Sequence, residues 1–88
     1  MDRLTIERRG GLANLTGRGE LDADSLSAAD RAAVDALFRR RPPLPPAPGA
    51  DRYVYVVTRV TAVGREKIEV PEHLMPAALA NAVKDELP

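Results

Sequence analysis

The 88-residue chain has no cysteine and very few aromatic residues, and these shortages exclude several classes of protein. Without cysteine it forms no disulfide, no thiolate zinc site and no cysteine nucleophile. Aromatic residues make up 3% of the chain, namely Phe38, Tyr53 and Tyr55. Little is therefore available to stack on a nucleotide or a sugar, and the core must be built mainly from leucine, valine and alanine.

The chain also has no net charge and no long apolar run. Thirteen basic and thirteen acidic residues cancel, which leaves no long-range field to attract a polyanion such as nucleic acid. No run approaches the ~18 apolar residues of a membrane span. The charged N-terminal stretch, residues 1–9, lacks the apolar segment of a secretory signal. We therefore expect a cytoplasmic protein that binds neither nucleic acid nor membranes.

Groups that could carry chemistry are sparse. His73 is the only histidine, and a zinc site needs further histidine or cysteine ligands. Asp22 and Asp24 do not complete a calcium loop, because Leu26 and a missing loop glycine break the pattern. The cations at residues 39–41 suit the C-terminus of a helix, and contact with phosphate is the alternative. We expect no metal, no cofactor and no enzymatic activity.

Alternating residues predict a first hairpin. Residues 4–9 alternate as a half-buried strand does, and Gly10-Gly11 is typical of a two-residue hairpin turn. The return strand, roughly residues 12–22, carries Gly17 and Gly19. Glycines within a strand indicate a bulge, a bend or the close approach of another backbone.

A helix is predicted from Ser27, as its N-cap, to about Arg40. The residues of its apolar face are Leu26, Ala33, Val34, Leu37 and Phe38. The residues of its charged i,i+4 ladder are Arg31, Asp35 and Arg39. A proline-rich connector follows at about 41–50, which is typical of a stiff spacer or of a ligand for a proline-recognising module.

The second half of the chain repeats the order of strands and helix. Residues 51–63 give the strongest strand signal, and apolar residues on both parities place this strand inside the sheet. Gly64 marks a turn into a strand in which Ile68 and Val70 alternate with charged residues. A last helix is predicted from about Leu74 to Leu87. Its expected buried stripe is Met75, Leu79, Ala82 and Val83.

The element order ββαββα predicts a single α+β domain over residues 1–88. The expected architecture has two layers, with a four-stranded antiparallel sheet and both helices on one face. The sequence leaves the order of the strands and the oligomeric state open.

Two groups of residues are candidates for binding a partner. Leu12 has the opposite parity to Leu15 and either points away from the core or is returned to it by a bulge. Tyr53, Tyr55 and Arg59 share one face, and tyrosine and arginine are favoured at binding hot spots. Cover by the protein's own helices is the alternative for that face. The residues predicted to contact a partner are Gly10, Gly11, Leu12, Asn14, Tyr53, Tyr55 and Arg59.

Three short motifs, in this order and spacing, resemble the emfourin family over nearly the whole chain. They are IERRGGL at 6–12, DRYVY at 51–55 and EHLMP at 72–76. Emfourin-like proteins are bacterial inhibitors of thermolysin-type zinc metalloproteases. The resemblance therefore implies a proteinaceous inhibitor that blocks the active-site cleft stoichiometrically, without chelating the metal. Such proteases favour a bulky apolar residue just after the scissile bond, and we expect Leu12 to occupy that pocket.

A non-inhibitory adaptor is the competing interpretation. Such a module would dock through the Tyr53/Tyr55 face or through the proline-rich connector. A third interpretation, nucleic-acid binding through residues 39–41, predicts an affinity that falls steeply with salt.

Overall fold

The computed structural model describes residues 2–10, 16–40 and 53–85. The elements in chain order are strands β1 (Arg3–Gly10) and β2 (Gly17–Asp22), helix α1 (Ala28–Arg39), strands β3 (Tyr53–Thr61) and β4 (Gly64–Pro71), helix α2 (Ala77–Ala80) and strand β5 (Lys84–Asp85). A single 3₁₀ turn precedes each helix, at Ala23–Ser25 and at Glu72–Leu74.

The strands form one antiparallel sheet in the order β4-β3-β1-β2-β5. The predicted α+β class is confirmed, and so is the interior position of β3, which lies between β1 and β4. The two-residue strand β5 extends the sheet beyond the four predicted strands. Both helices contribute buried residues to one core, so both cover the same face, which we call the inner face.

The core lies between the inner face and the helices. Leu4 and Ile6 of β1 are fully buried at alternate positions, as the period of two in a strand requires. Helix α1 contributes Val34 and Leu37, which confirms the centre of its predicted apolar face. The other buried members of this core are Tyr55, Val57, Val70 and Leu79.

Helix α1 begins as the sequence predicts. The Oγ of Ser27 accepts a hydrogen bond from the Asp30 amide at 3.1 Å, which satisfies one of the free amides of the first turn. The predicted charge ladder is redirected, because the Asp35 carboxylate bonds to the sheet and the Arg39 Nε donates to the Asp35 carbonyl. Within the ranges given above, no helix has the length and apolar character to cross a membrane.

The predicted two-residue turn at Gly10-Gly11 is wrong. Such a turn would pair Arg8 with Ala13, whereas Arg8 pairs with Gly17, four residues further along. The observed register places Leu21 opposite Leu4, so the apolar residues of both strands share the inner face. Burial of this apolar pair outweighs the local preference of two glycines for a tight turn.

The predicted helix from Leu74 to Leu87 is also wrong, since α2 ends at Ala80. The chain then crosses the inner face of β2. A Cβ added at Gly19 would lie 2.7 Å from the Ala82 carbonyl carbon, and one at Gly17 would lie 2.7 Å from the Val83 Cγ1. The close approach of another backbone, one of the alternatives for these glycines, is confirmed. This packing overrides the helical propensity of the segment.

Candidate functional site

Strand β1 ends at Gly10. This residue pairs with Tyr53 at the start of β3, and its φ of 84° lies in the left-handed region that glycine adopts without a steric penalty. Gly10 is therefore anchored to a neighbouring strand in a backbone conformation that other residues rarely adopt. Of the residues predicted to contact a partner, Gly11, Leu12 and Asn14 lie outside the described residues.

The Arg8 side chain of β1 reaches both strands that flank β1. Its guanidinium carbon lies 4.7 Å from the centroid of the Tyr53 ring, within the range of a cation–π contact. Its Nη2 lies 3.1 Å from the position that a Cβ at Gly17 would occupy. The guanidinium thus lies close to both Gly17 of β2 and Tyr53 of β3. We call Arg8, Gly10, Gly17 and Tyr53 the loop base.

Tyr55 packs beneath the loop base. It pairs with Arg8 and is 7% exposed. Burial raises the pKa of its hydroxyl above the ordinary value of 10.0, the positive charge of Arg8 opposes this, and Glu72 and Tyr53 add to it. The residue is therefore a neutral core side chain, and a contact between Tyr55 and a partner would require the core to open.

Arg59 holds helix α1 to the sheet. Its Nη1 donates to Asp35 Oδ1 at 2.8 Å and its Nη2 donates to Glu66 Oε2 at 2.7 Å. Its guanidinium carbon lies 4.4 Å from the centroid of the Phe38 ring. Its Nε is buried without a hydrogen-bond partner in the described part of the chain. The Arg59 side chain is therefore engaged in packing helix α1 against strands β3 and β4.

The predicted site residues separate into two groups. Gly10, Tyr53 and Tyr55 meet at the end of the sheet where the β1–β2 connection departs. Arg59 lies six residues beyond Tyr53 on β3, which is about 20 Å away along an extended strand. The Tyr53, Tyr55 and Arg59 face is the inner face, covered by the protein's own helices, which is the alternative that the sequence left open. The role of these residues in binding a partner stays a prediction.

The structure offers no metal centre in the ranges it describes. No three histidine, cysteine, aspartate or glutamate side chains among residues 2–10, 16–40 and 53–85 lie close enough together to hold an ion. His73 is exposed in the 3₁₀ turn before α2.

Sequence reasoning missed Arg8. The residue has the same parity as Leu4 and Ile6, so an arginine occupied a position where the strand pattern required an inward-facing side chain. A charged residue at an inward-facing position indicates a specific polar contact inside the fold, because a buried guanidinium needs partners. The partners themselves depend on the register, which could not be read from the pattern.

The fold and the loop base define a small α+β domain in which Gly10 and Gly17, on either side of the β1–β2 connection, are both paired to a neighbouring strand. A sequence model of the emfourin family matches residues 6–86, and the chain belongs to that family. Membership suggests a non-enzymatic role as a protein inhibitor of a metalloprotease, with a protease as its partner. Comparisons with curated proteins and with solved structures found no match.

Proposed function

We propose that the protein inhibits a thermolysin-type zinc metalloprotease by stoichiometric blocking of the active-site cleft. The segment presented to the enzyme is the β1–β2 connection, with Leu12 in the pocket that follows the scissile bond. Family membership is the observation that carries the inhibitory role, and the loop base is the structural feature that favours this segment.

The loop base supports the proposal through the entropy of binding. Ordering a segment at an interface costs roughly 0.5–1.5 kcal/mol for each mobile side chain that becomes fixed. Gly10 and Gly17 are held by pairing to Tyr53 and Arg8 respectively, so both ends of the connection are fixed before the enzyme is met. An anchored segment loses less freedom on binding than a free peptide of the same sequence.

The direct experiment is a titration of the purified chain into a thermolysin-type protease while hydrolysis of a short peptide is followed. Activity that falls linearly to a plateau at one inhibitor per enzyme supports the proposal. A protease that cleaves the chain without slowing contradicts it, as does inhibition that added zinc reverses, which would indicate chelation.

The role of Leu12 is tested by Leu12→Ala. Removing a side chain that fills a pocket should weaken inhibition by about 1–3 kcal/mol. The matched control is Val63→Ala, because Val63 is 97% exposed and follows Thr61, which pairs at the opposite end of the sheet from Gly10. Equal inhibition constants for the two variants would remove Leu12 from the site while leaving the inhibitory role intact.

A further inference from the structure

The sheet face opposite the helices, which we call the outer face, carries charges in an ordered pattern. Its residues have the opposite parity to the buried Leu4, Ile6 and Val57. Strand pairing arranges them in rows that run across the sheet. The first row is Lys84, Arg18, Glu7, Val56 and Glu69, the second is Glu20, Thr5, Thr58 and Lys67, and the third is Asp22, Arg3, Val60 and Arg65.

On the four long strands the first and third rows have opposite signs at every charged position, while Lys84 of the short strand β5 has no counterpart in the third row. On β1 the first row has Glu7 and the third row has Arg3, four residues away. On β4 the first row has Glu69 and the third row has Arg65. On β2 the change runs from Arg18 to Asp22. On β3 both positions are valine. A surface with this property is complementary to itself after a half-turn about the middle row.

Pairing within the chain explains only part of the pattern. On β1 and β2 the charges alternate across neighbouring strands, and the Arg3 Nη2 lies 2.8 Å from the Glu20 Oε2. On β4 the neighbours of Glu69 and Arg65 on β3 are the valines of the first and third rows. Cross-strand pairing with β3 therefore gives no reason for the alternation on β4.

The outer face of β3 is apolar and is open to solvent at Val54 and Val60 but not at Val56 between them. Val56 is 3% exposed, whereas Val60 is 36% and Val54 is 37% exposed. Among the described residues, the buried members of both helices belong to the inner core, so α1 and α2 leave this strip of β3 to the outer side. A half-turn about the middle row brings the exposed Val60 of one copy over the buried Val56 of another, so this pair adds little apolar contact and the charges carry the pairing.

We propose that the outer face binds a second copy of this chain about a two-fold axis that runs along the middle row. In this arrangement the β4 residues Glu69 and Arg65 of each copy face Arg65 and Glu69 of the other, and Glu7 and Arg3 do the same on β1. An isologous contact of this kind needs a self-complementary patch, and the charge order of the rows supplies it.

The size of the face sets the strength of the contact. Four strands ~4.8 Å apart and seven residues at ~3.3 Å each give roughly 19 by 23 Å, which is below the area of a standard stable interface. The middle row opposes Lys67 to Lys67 and Glu20 to Glu20 at the periphery, which weakens the contact further. The dimer is therefore weak and forms at high protein concentration.

The dimer is independent of protease inhibition. The strands run antiparallel in the two copies, so the two Gly10 ends of the sheets lie at opposite ends of the pair. Neither loop base belongs to the outer face. A failure of one proposal is thus visible without the other, because self-association is measured in the absence of any protease.

The experiment measures self-association by small-angle scattering and by NMR translational diffusion from about 0.05 to about 1 mM, the range suited to a weak interface. R65E makes β4 wholly acidic at the two positions and E69R makes it wholly basic. Each variant alone places like charges opposite each other and should associate about tenfold more weakly than the unaltered chain. An equimolar mixture of the two should associate at least as strongly as the unaltered chain.

R31E is the matched control, because Arg31 is an exposed residue of α1 and the substitution changes net charge as R65E does. R31E alone should associate like the unaltered chain, and its mixture with E69R should not recover full association. A chain that stays monomeric at about 1 mM overturns the proposal, since even a weak interface associates measurably there. Association that R65E and E69R leave unchanged also overturns it, because another surface then carries the contact. Far-ultraviolet circular dichroism confirms that each variant is folded.

Discussion

The Arg59 Nη1 of strand β3 lies 2.8 Å from the Asp35 Oδ1 of helix α1. The bond connects the two layers of the domain across 24 positions of sequence. The same guanidinium reaches Glu66 and stacks on Phe38, so one side chain links three elements. The ion pairs are partly solvated, since the Asp35 side chain is 57% exposed. The stack of the guanidinium on Phe38 therefore contributes to stability in addition to the ion pairs.

Removal of Arg59 should therefore cost more than removal of either acidic partner. We expect Asp35→Asn to lower the free energy of unfolding by about 0.5–1 kcal/mol, the value of a partly exposed ion pair. Arg59→Ala also loses the second ion pair and the contact with Phe38, and should cost about 1–3 kcal/mol. Urea denaturation followed by circular dichroism measures both. Equal losses for the two variants would contradict the role of the stack.

The glycines of β2 should respond differently to alanine. Gly19→Ala places a methyl group against the backbone of Ala82, which cannot move without displacing the terminal segment, and should cost about 1–3 kcal/mol. Gly17→Ala meets the Val83 side chain first. Val83→Ala should therefore rescue part of the loss at position 17, with a coupling of about 0.5–2 kcal/mol in a double-mutant cycle.

The control for this cycle is Gly19→Ala combined with Val83→Ala. The carbonyl group of Ala82 is the nearest obstacle at position 19, so removing the valine methyls gives no relief and the two losses should add. Rescue of equal size at both positions would contradict the backbone contact.

Tyr55 should make the protein less stable at high pH. Burial raises the pKa of its hydroxyl above 10.0 in the folded protein, so the folded state holds the proton more tightly than the unfolded state. The resulting stability is fully present below the unfolded pKa of about 10 and is lost as pH rises through the folded pKa. The difference in unfolding free energy between the unaltered chain and Tyr55→Phe should therefore shift in favour of the variant above about pH 10. Urea denaturation across this range measures it, and a constant difference would contradict the burial of the hydroxyl.

Arg8 should affect inhibition by positioning the loop base. Under the proposed function, Arg8→Ala removes the guanidinium that lies against Tyr53 and Gly17, loosens the loop base without removing its strand pairing, and should weaken inhibition by about 1–2 kcal/mol through faster dissociation. Arg65→Ala is the matched control, because this exposed arginine pairs with Val60 near the far end of the sheet. Stopped-flow or surface plasmon resonance gives the dissociation rates. A change in inhibition constant that matches the loss of folded protein would assign Arg8 to stability alone.

Local patterns predicted the parts of the fold that depend on neighbouring residues. The cap at Ser27 and the inward positions of Leu4 and Ile6 follow from short-range spacing, and the structure contains them. The two-residue turn and the long final helix failed because contacts between distant parts of the chain override local preferences. The turn is overridden by the pairing of Leu21 with Leu4, and the helix by the packing of the segment after Ala80 over Gly17 and Gly19.

In the candidate site too, the sequence predicts what depends on neighbouring residues and misses what depends on distant contacts. Parity alone placed Tyr53, Tyr55 and Arg59 on one face, and the structure confirms the shared face. Parity does not say which layer covers that face, because burial depends on where the helices dock. The loop base could not be predicted for a related reason, since Arg8 meets Gly17 only in the observed register.

The contact between Gly19 and Ala82 restricts which amino acids are tolerated at position 19 but not at position 82. At position 19 any side chain beyond hydrogen meets a main-chain carbonyl group, which every amino acid possesses. Residue 82 contributes only its main-chain carbonyl group to the contact. Other amino acids can therefore replace Ala82, whereas position 19 requires glycine. A library that randomises residue 82 should consequently yield many folded chains, and one that randomises residue 19 should return glycine almost alone.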